Sequence, residues 1–196
     1  MKISSKKVML GIAALLVLLI AVTLFFPPSK LAMDSVGGND IIGSLKDGDV
    51  LEEEFITKRG YSSLGIPFAN YSQLIDKGYV LVTIKQDRYR PKKYKVKLAN
   101  IMDNEYYFFK YRFRKNKKYT LTIEIKDANY PMAIYKTNKA KNAALKINGI
   151  SSKDSIRLAF LYKDKDYFNI WYYVVLLSIV SLCFVMFKDG AVHGKK

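Results

Sequence analysis

The sequence predicts a mainly β protein: an antiparallel β-sandwich, jelly-roll-like, flanked by two transmembrane α-helices. Three observations predict it. Two long uncharged apolar runs lie near the two ends of the 196 residues. The stretch between them alternates apolar and polar residues with a period of two. Polar breaks rich in Gly, Asn and Asp cut that stretch into short pieces. Mean hydropathy is −0.02 although 26% of residues are charged, so the apolar residues must be segregated from the charges.

The elements follow in chain order. Residues 1–7 carry Lys2, Lys6 and Lys7 and read as a cytoplasmic N-terminus. Residues 8–26 (VMLGIAALLVLLIAVTLFF) have no charge; as a helix they span ~28 Å, against about 30 Å for a bilayer core. A cleaved signal peptide shares this position and basic flank. The run, however, exceeds an apolar core of ~7–15 residues and ends in Phe25-Phe26-Pro27-Pro28 without a small-x-small pattern. Residues 27–49 read as a juxtamembrane linker, where Gly37-Gly38 and Gly43 break any helix.

Residues 50–166 read as the sandwich, with strands expected over 51–57, 63–68, 79–86, 94–98, 106–114, 118–126, 143–147 and 156–162. In Lys118–Lys126 (KYTLTIEIK), Tyr119, Leu121, Ile123 and Ile125 fall on one face and the polar residues on the other. Breaks at Lys46-Asp47-Gly48-Asp49, Asp76-Lys77-Gly78, Asp103-Asn104, Lys115-Asn116-Lys117 and Asn148-Gly149 supply the turns. Residues 138–144 leave room for a helical turn. Residues 167–187 form the second span, uncharged over 170–187, and residues 188–196 a tail with Lys188, Lys195 and Lys196. By the positive-inside rule both termini are cytoplasmic and the middle lies outside, and the abundance of Lys, Ile, Asn and Tyr points to a bacterial cell membrane. Tyr167, Phe168, Trp171, Tyr172 and Tyr173 then make an aromatic belt at the outer interface.

The net charge of +16 divides along the same lines. Six of the 33 Lys and Arg flank the spans, which leaves an excess of positive charge in the middle. It is densest over 85–97 (KQDRYRPKKYKVK) and 110–118 (KYRFRKNKK). In a cytosolic protein, interleaved cations and aromatics would suggest nucleic acid. Outside a cell the anionic partners are phospholipid headgroups, phosphodiester polymers and acidic polysaccharides. Candidate contacts for an anionic polymer, chosen by density, are Arg88, Tyr89, Arg90, Lys92, Lys93, Tyr94, Arg112 and Arg114. The plainer alternative is a solvated Lys-rich face whose charge guards strand edges.

Catalytic chemistry has little to draw on. The one His, His193, falls in the tail, and the one Cys, Cys183, falls in the second span, so neither a disulfide framework nor a His triad is expected. The carboxylate clusters are Glu52-Glu53-Glu54 and Asp103-Asn104-Glu105. Strand alternation turns Glu53 inward beside Leu51 and Phe55, which is costly unless it is paired. The Asp103 loop has oxygens enough to invite Ca2+, although three polar residues in a turn are commonplace. The expectation is a noncatalytic chain without metal or cofactor.

A resemblance adds to this. LEEEF at 51–55, Ser63-Leu64-Gly65-Ile66 with Ala69-Asn70, GYVLVTI at 78–84, LANIMD at 98–103, YYFF at 106–109, KYTLTI at 118–123 and IRLAFLY at 156–162 follow a recognisable order. The pattern resembles the extracytoplasmic, carbohydrate-binding-module-like jelly-roll domain of bacterial membrane proteins of cell-surface polysaccharide assembly, including glycosyltransferase-like proteins. The resemblance implies an accessory role, holding an anionic glycan or glycolipid while a multi-spanning membrane partner supplies the chemistry. The chain departs from that setting in having two spans and no acidic loop motif of a transferase. A competing reading is a scaffold or sensor subunit that caps a multi-spanning partner without binding glycan, with Gly11, Ala13, Ala14, Ser178 and Ser181 permitting close helix packing.

Overall fold

A predominantly apolar run satisfies its backbone hydrogen bonds within itself, and residues Ser5–Phe25 do so as helix α1. The computed structural model describes residues 5–33, 40–73, 75–137, 144–164 and 167–193. It divides into two units, Met1–Ser29 with Lys163–Lys196, and Lys30–Tyr162. The first unit pairs α1 with α2, Tyr167–His193. Leu16 is buried, whereas Leu10, Leu15, Val17, Leu18 and Val22 are exposed around the helix. Thr23 donates its hydroxyl to the Leu19 carbonyl at 2.8 Å, and Ser178 and Ser181 do the same to Val174 and Leu177, so these side chains satisfy themselves within the helix.

Over Lys7–Phe25, α1 is long and apolar enough to cross a membrane; a signal sequence near an N-terminus has the same properties. The apolar stretch of α2 among residues with described side chains is Asn169–Cys183, shorter than a span, so among the described residues one helix is long and apolar enough to cross a membrane. Trp171 is exposed, as are Tyr167 and Tyr172.

The second unit is an antiparallel two-sheet sandwich. Its strands are β1 Ser29–Met33, β2 Ile41–Leu45, β3 Val50–Ile56, β4 Tyr61–Ala69, β5 Tyr79–Gln86, β6 Lys92–Lys97, β7 Tyr106–Phe113, β8 Lys118–Lys126, β9 Met132–Thr137, β10 Ala144–Ile147, β11 Ile150–Ser151, β12 Ser155–Ile156 and β13 Ala159–Lys163. One sheet runs β11-β10-β3-β8-β5-β6. The other runs β1-β13-β4-β9-β12, with β2 beside β9 and β7 beside β4. Alternation decides which side chains meet between the sheets. Val80, Val82 and Ile84 of β5 and Leu121, Ile123 and Ile125 of β8 point inward and are fully buried, while their neighbours stay open. They face Leu64, Ile66, Phe68, Ile134 and Phe160 from the other sheet in one continuous core. Each such side chain contributes roughly 1.5–3 kcal/mol.

Aromatics fill one end of this core. Phe160 stacks on Tyr61 at 4.5 Å and meets Phe113 edge-on at 5.5 Å, and Tyr119 is 1% exposed. Part of the tyrosine richness therefore serves packing. Glu53 points inward as alternation requires; at 1% exposure its carboxylate accepts the Ile156 amide at 2.5 Å, tying β3 to β12 across the sandwich. The β10–β11 turn is Asn148-Gly149, at φ 51° and 81°, the left-handed pair that a two-residue hairpin demands.

Several expectations need correction. The segment read as a linker, 27–49, carries β1 and β2. A bulge between Ile42 and Leu45 breaks the alternation of β2 and hid its two buried residues. The strand expected over 156–162 is two strands, because β12 pairs with β9 and β13 with β4. Strand β9 was not foreseen behind Pro131. The turn considered at 138–144 falls mostly outside the described residues, as do Gly37, Gly38, Lys195 and Lys196.

Candidate functional site

The candidate cations lie where the two sheets end side by side. Strand β6 is the last strand of one sheet, and β7 lies beyond β4 at an edge of the other. Between β5 and β6 the chain turns through residues 87–91, with the Tyr89 amide bonded to the Gln86 carbonyl at 3.0 Å and Arg88 at φ 68°. That turn lifts Arg88, Tyr89 and Arg90 into solvent. Arg114, just past β7, donates from Nη1 to the Tyr89 hydroxyl at 3.0 Å, and its guanidinium lies 5.3 Å from the Tyr89 ring centre. Four of the eight residues thus gather at one tip.

The other four separate. Lys92 Nζ donates to the Lys110 carbonyl at 3.0 Å and the Tyr94 hydroxyl donates to the same oxygen, so this pair laces β6 to β7. Their hydrogen-bonding capacity is partly spent on closing the sandwich. Lys93 alternates onto the outer face of its sheet with Lys95 and Lys97, where Lys95 Nζ sits 3.7 Å from the Tyr79 ring centre. Arg112 alternates outward from β7, opposite in sense to buried Phe113. The result is a cationic rim around one corner rather than a single cleft.

The rim cations make no ion pair among the described residues, although Asp87 lies in the same turn. Among the described residues the ion pairs are Lys118–Glu54 at 2.8 Å, Lys126–Glu124 at 3.3 Å and Lys136–Asp154 at 3.0 Å, and none involves the rim cations. Lys118 is raised above its ordinary pKa, chiefly by its hydrogen bond to Glu54. Exposed charge of one sign attracts polyanions across about a Debye length, ~8 Å at physiological salt.

The acidic clusters are otherwise engaged. Glu53 is the sheet-to-sheet clamp, and Glu52 and Glu54 alternate away from the core. Asp103 accepts the Asn70 amide at 2.8 Å and the Ser72 amide at 3.2 Å, so its carboxylate caps a turn in which Tyr71 and Ser72 have φ of 55° and 56°. No group of three metal-ligating side chains occurs among the residues with described side chains.

Density of charge did not reveal a second region on the outer face of the other sheet. Pro67, Asn104, Tyr106, Tyr135 and Arg157 line a cavity of about 370 Å³ there. The available signal was Arg157, a single cation between Ile156 and Leu158 in an apolar run. No family model matches the chain. No curated protein matches it either.

Proposed function

We propose that the protein is a noncatalytic, membrane-anchored accessory of cell-surface polysaccharide assembly whose sandwich holds an anionic glycan or glycolipid on its cationic rim. One observation carries the reading: Arg88, Arg90, Lys93, Arg112 and their neighbours are exposed and without a carboxylate partner among the described residues. Arginine forks suit phosphate and carboxylate, and exposed Tyr89 offers a ring face to a sugar. Helix α1 supplies the anchor, and the uncharged run 170–187 a second span. The Lys flanks favour both termini in the cytoplasm and the jelly-roll-like sandwich outside a bacterial cell membrane, where phosphodiester polymers and acidic polysaccharides lie. Bond-forming chemistry then belongs to a multi-spanning membrane partner.

The test uses the full chain in nanodiscs of uncharged lipid, with fluorescent poly(glycerol phosphate) as probe and dextran as the neutral control. The polymer binds at low salt and is released as salt rises, and the combined variant Arg88→Ala, Arg90→Ala, Lys93→Ala, Arg112→Ala loses at least about tenfold in affinity. Equal binding of dextran, or a variant that binds as well as the parent, overturns the reading.

A further inference from the structure

The outer-face cavity holds a different arrangement of the same residue types. Pro67 and Tyr106 are directly paired across β4 and β7, and Arg157 donates its amide to the Tyr135 carbonyl at 2.9 Å. Their strand neighbours Ile66, Phe68, Ile134, Ile156 and Leu158 are core residues, so alternation turns Pro67, Tyr135 and Arg157 away from the core, beside Tyr106. Asn104 holds the far side. It sits at φ 62°, donates its amide to the Phe68 carbonyl at 3.0 Å and accepts the Tyr135 hydroxyl on its side-chain oxygen, which fixes the Tyr135 ring. Next along the same face, Gly65 is paired with Phe108 and lets its ring lie against the sheet, because a Cβ there would sit 2.6 Å from Phe108 Cε1.

Two polar atoms of the residues that line this cavity are buried without a partner among the described residues: Tyr106 Oη and Arg157 Nε. The Arg157 guanidinium lies 5.8 Å from the Tyr106 ring centre, where its charge and its approach to the hydroxyl pull the phenol pKa down without a hydrogen bond of normal geometry. A fold selected for stability alone would carry Phe at 106, since a buried unpaired hydroxyl costs free energy and a phenyl ring of the same shape does not. No carboxylate pairs with Arg157 among the described residues. A guanidinium and a phenol with unspent hydrogen-bonding capacity in the wall of one concave space ask for an anionic acceptor, and Pro67 and the Tyr135 ring provide apolar walls beside it.

We infer that this cavity binds one sugar unit bearing a single acidic group, carboxylate or phosphate, with Arg157 and Tyr106 donating to the acid and Pro67 and Tyr135 flanking the ring. The volume, about 370 Å³, is at the small end of ligand pockets and suits one ring rather than a chain segment. The inference deepens the glycan reading and rests on it for the choice of sugar as carrier. Burial raises the Tyr106 pKa, outweighing the opposing pull of Arg157, so the phenol keeps its proton and remains a donor throughout the neutral range.

Isothermal titration of the full chain in uncharged-lipid nanodiscs tests it, with glucuronate, glucose 6-phosphate, glucose and acetate as probes. At least one acidic sugar binds with Kd on the order of 1 mM, and comparison of the two identifies the acid. Glucose and acetate, each lacking half of the ligand, bind at least about tenfold more weakly. Arg157→Met abolishes binding of the acidic sugar. Tyr106→Phe weakens it about tenfold without lowering the melting temperature, which covers the case in which Arg157→Met misfolds. The combined rim variant binds the acidic sugar as the parent does. Glucose binding as well as both acidic sugars, no binding by either acidic sugar, or affinity unchanged in Tyr106→Phe overturns the inference. Poly(glycerol phosphate) binding answers only to the rim variant, so the rim and the cavity fail separately.

Discussion

At the β5–β6 turn an arginine lies over a tyrosine ring at 5.3 Å, and on the outer face of the other sheet a second arginine lies over a second tyrosine at 5.8 Å. The first pair, Arg114 and Tyr89, is exposed and joined by a hydrogen bond. The second, Arg157 and Tyr106, keeps a guanidinium nitrogen and a phenol oxygen buried and unpaired among the described residues. In water such a pair gains little and risks little, because solvent satisfies whatever the partner does not. Out of water the same groups carry an uncompensated desolvation cost. The comparison separates two kinds of evidence for binding: a density of exposed charge gives long-range attraction without shape, whereas unsatisfied burial marks a place where stability was not the only requirement.

Three measurements press on this contrast. The largest effect is expected beside the cavity, at the next same-face pair along β4 and β7. Gly65→Ala places a methyl group against the Phe108 ring and costs about 1–2 kcal/mol in chemical denaturation. A cost indistinguishable from zero would mean that the exposed Phe108 ring is free to swing aside. Next, Tyr106→Phe stabilises the fold by up to about 1 kcal/mol at neutral pH. It also changes the alkaline limb. In the parent the folded phenol holds its proton above the ordinary value of 10.0, so from about pH 10 the unfolded chain binds fewer protons than the folded one and stability falls as pH rises. Tyr111, raised by burial and by neighbouring Tyr119 and Tyr94, leaves a smaller slope of the same sign in the variant. An unchanged limb in Tyr106→Phe would place the titration elsewhere. The smallest effect belongs to the rim: Arg88→Ala with Arg90→Ala shifts stability by less than about 0.5 kcal/mol, although both residues are candidate ligand contacts. A larger loss would make the turn structural and blur the comparison.

The sandwich was readable because β3, β8 and β5, the central strands of one sheet, obey a period of two. Tyr79–Gln86 and Lys118–Lys126 were delimited from the sequence alone, since both face the core on one side and solvent on the other. Glu53 was also foreseen as inward, and so was the Asn148-Gly149 turn. Strand β2 escaped because a bulge spoils its alternation, and β12 and β13 were merged because which partner a strand takes leaves no local mark. The rim residues were found by density, but density did not foretell that Lys92 and Tyr94 would spend themselves on one backbone carbonyl. The cavity was illegible for a related reason. Its residues come from three strands, a turn and the β12–β13 link, and only pairing register brings Asn104, Tyr106, Tyr135 and Arg157 to one face.

That shared carbonyl, of Lys110, has a further consequence. A strand at the border of a sheet offers its free backbone groups to any other strand that meets it, and copies held at high local concentration meet often. Here an ammonium and a phenol from β6 already occupy the acceptor on β7. A neighbouring copy arriving at this corner finds that acceptor taken and a ring of like charge around it. Crowded molecules are thereby kept as separate individuals instead of zipping into a shared sheet.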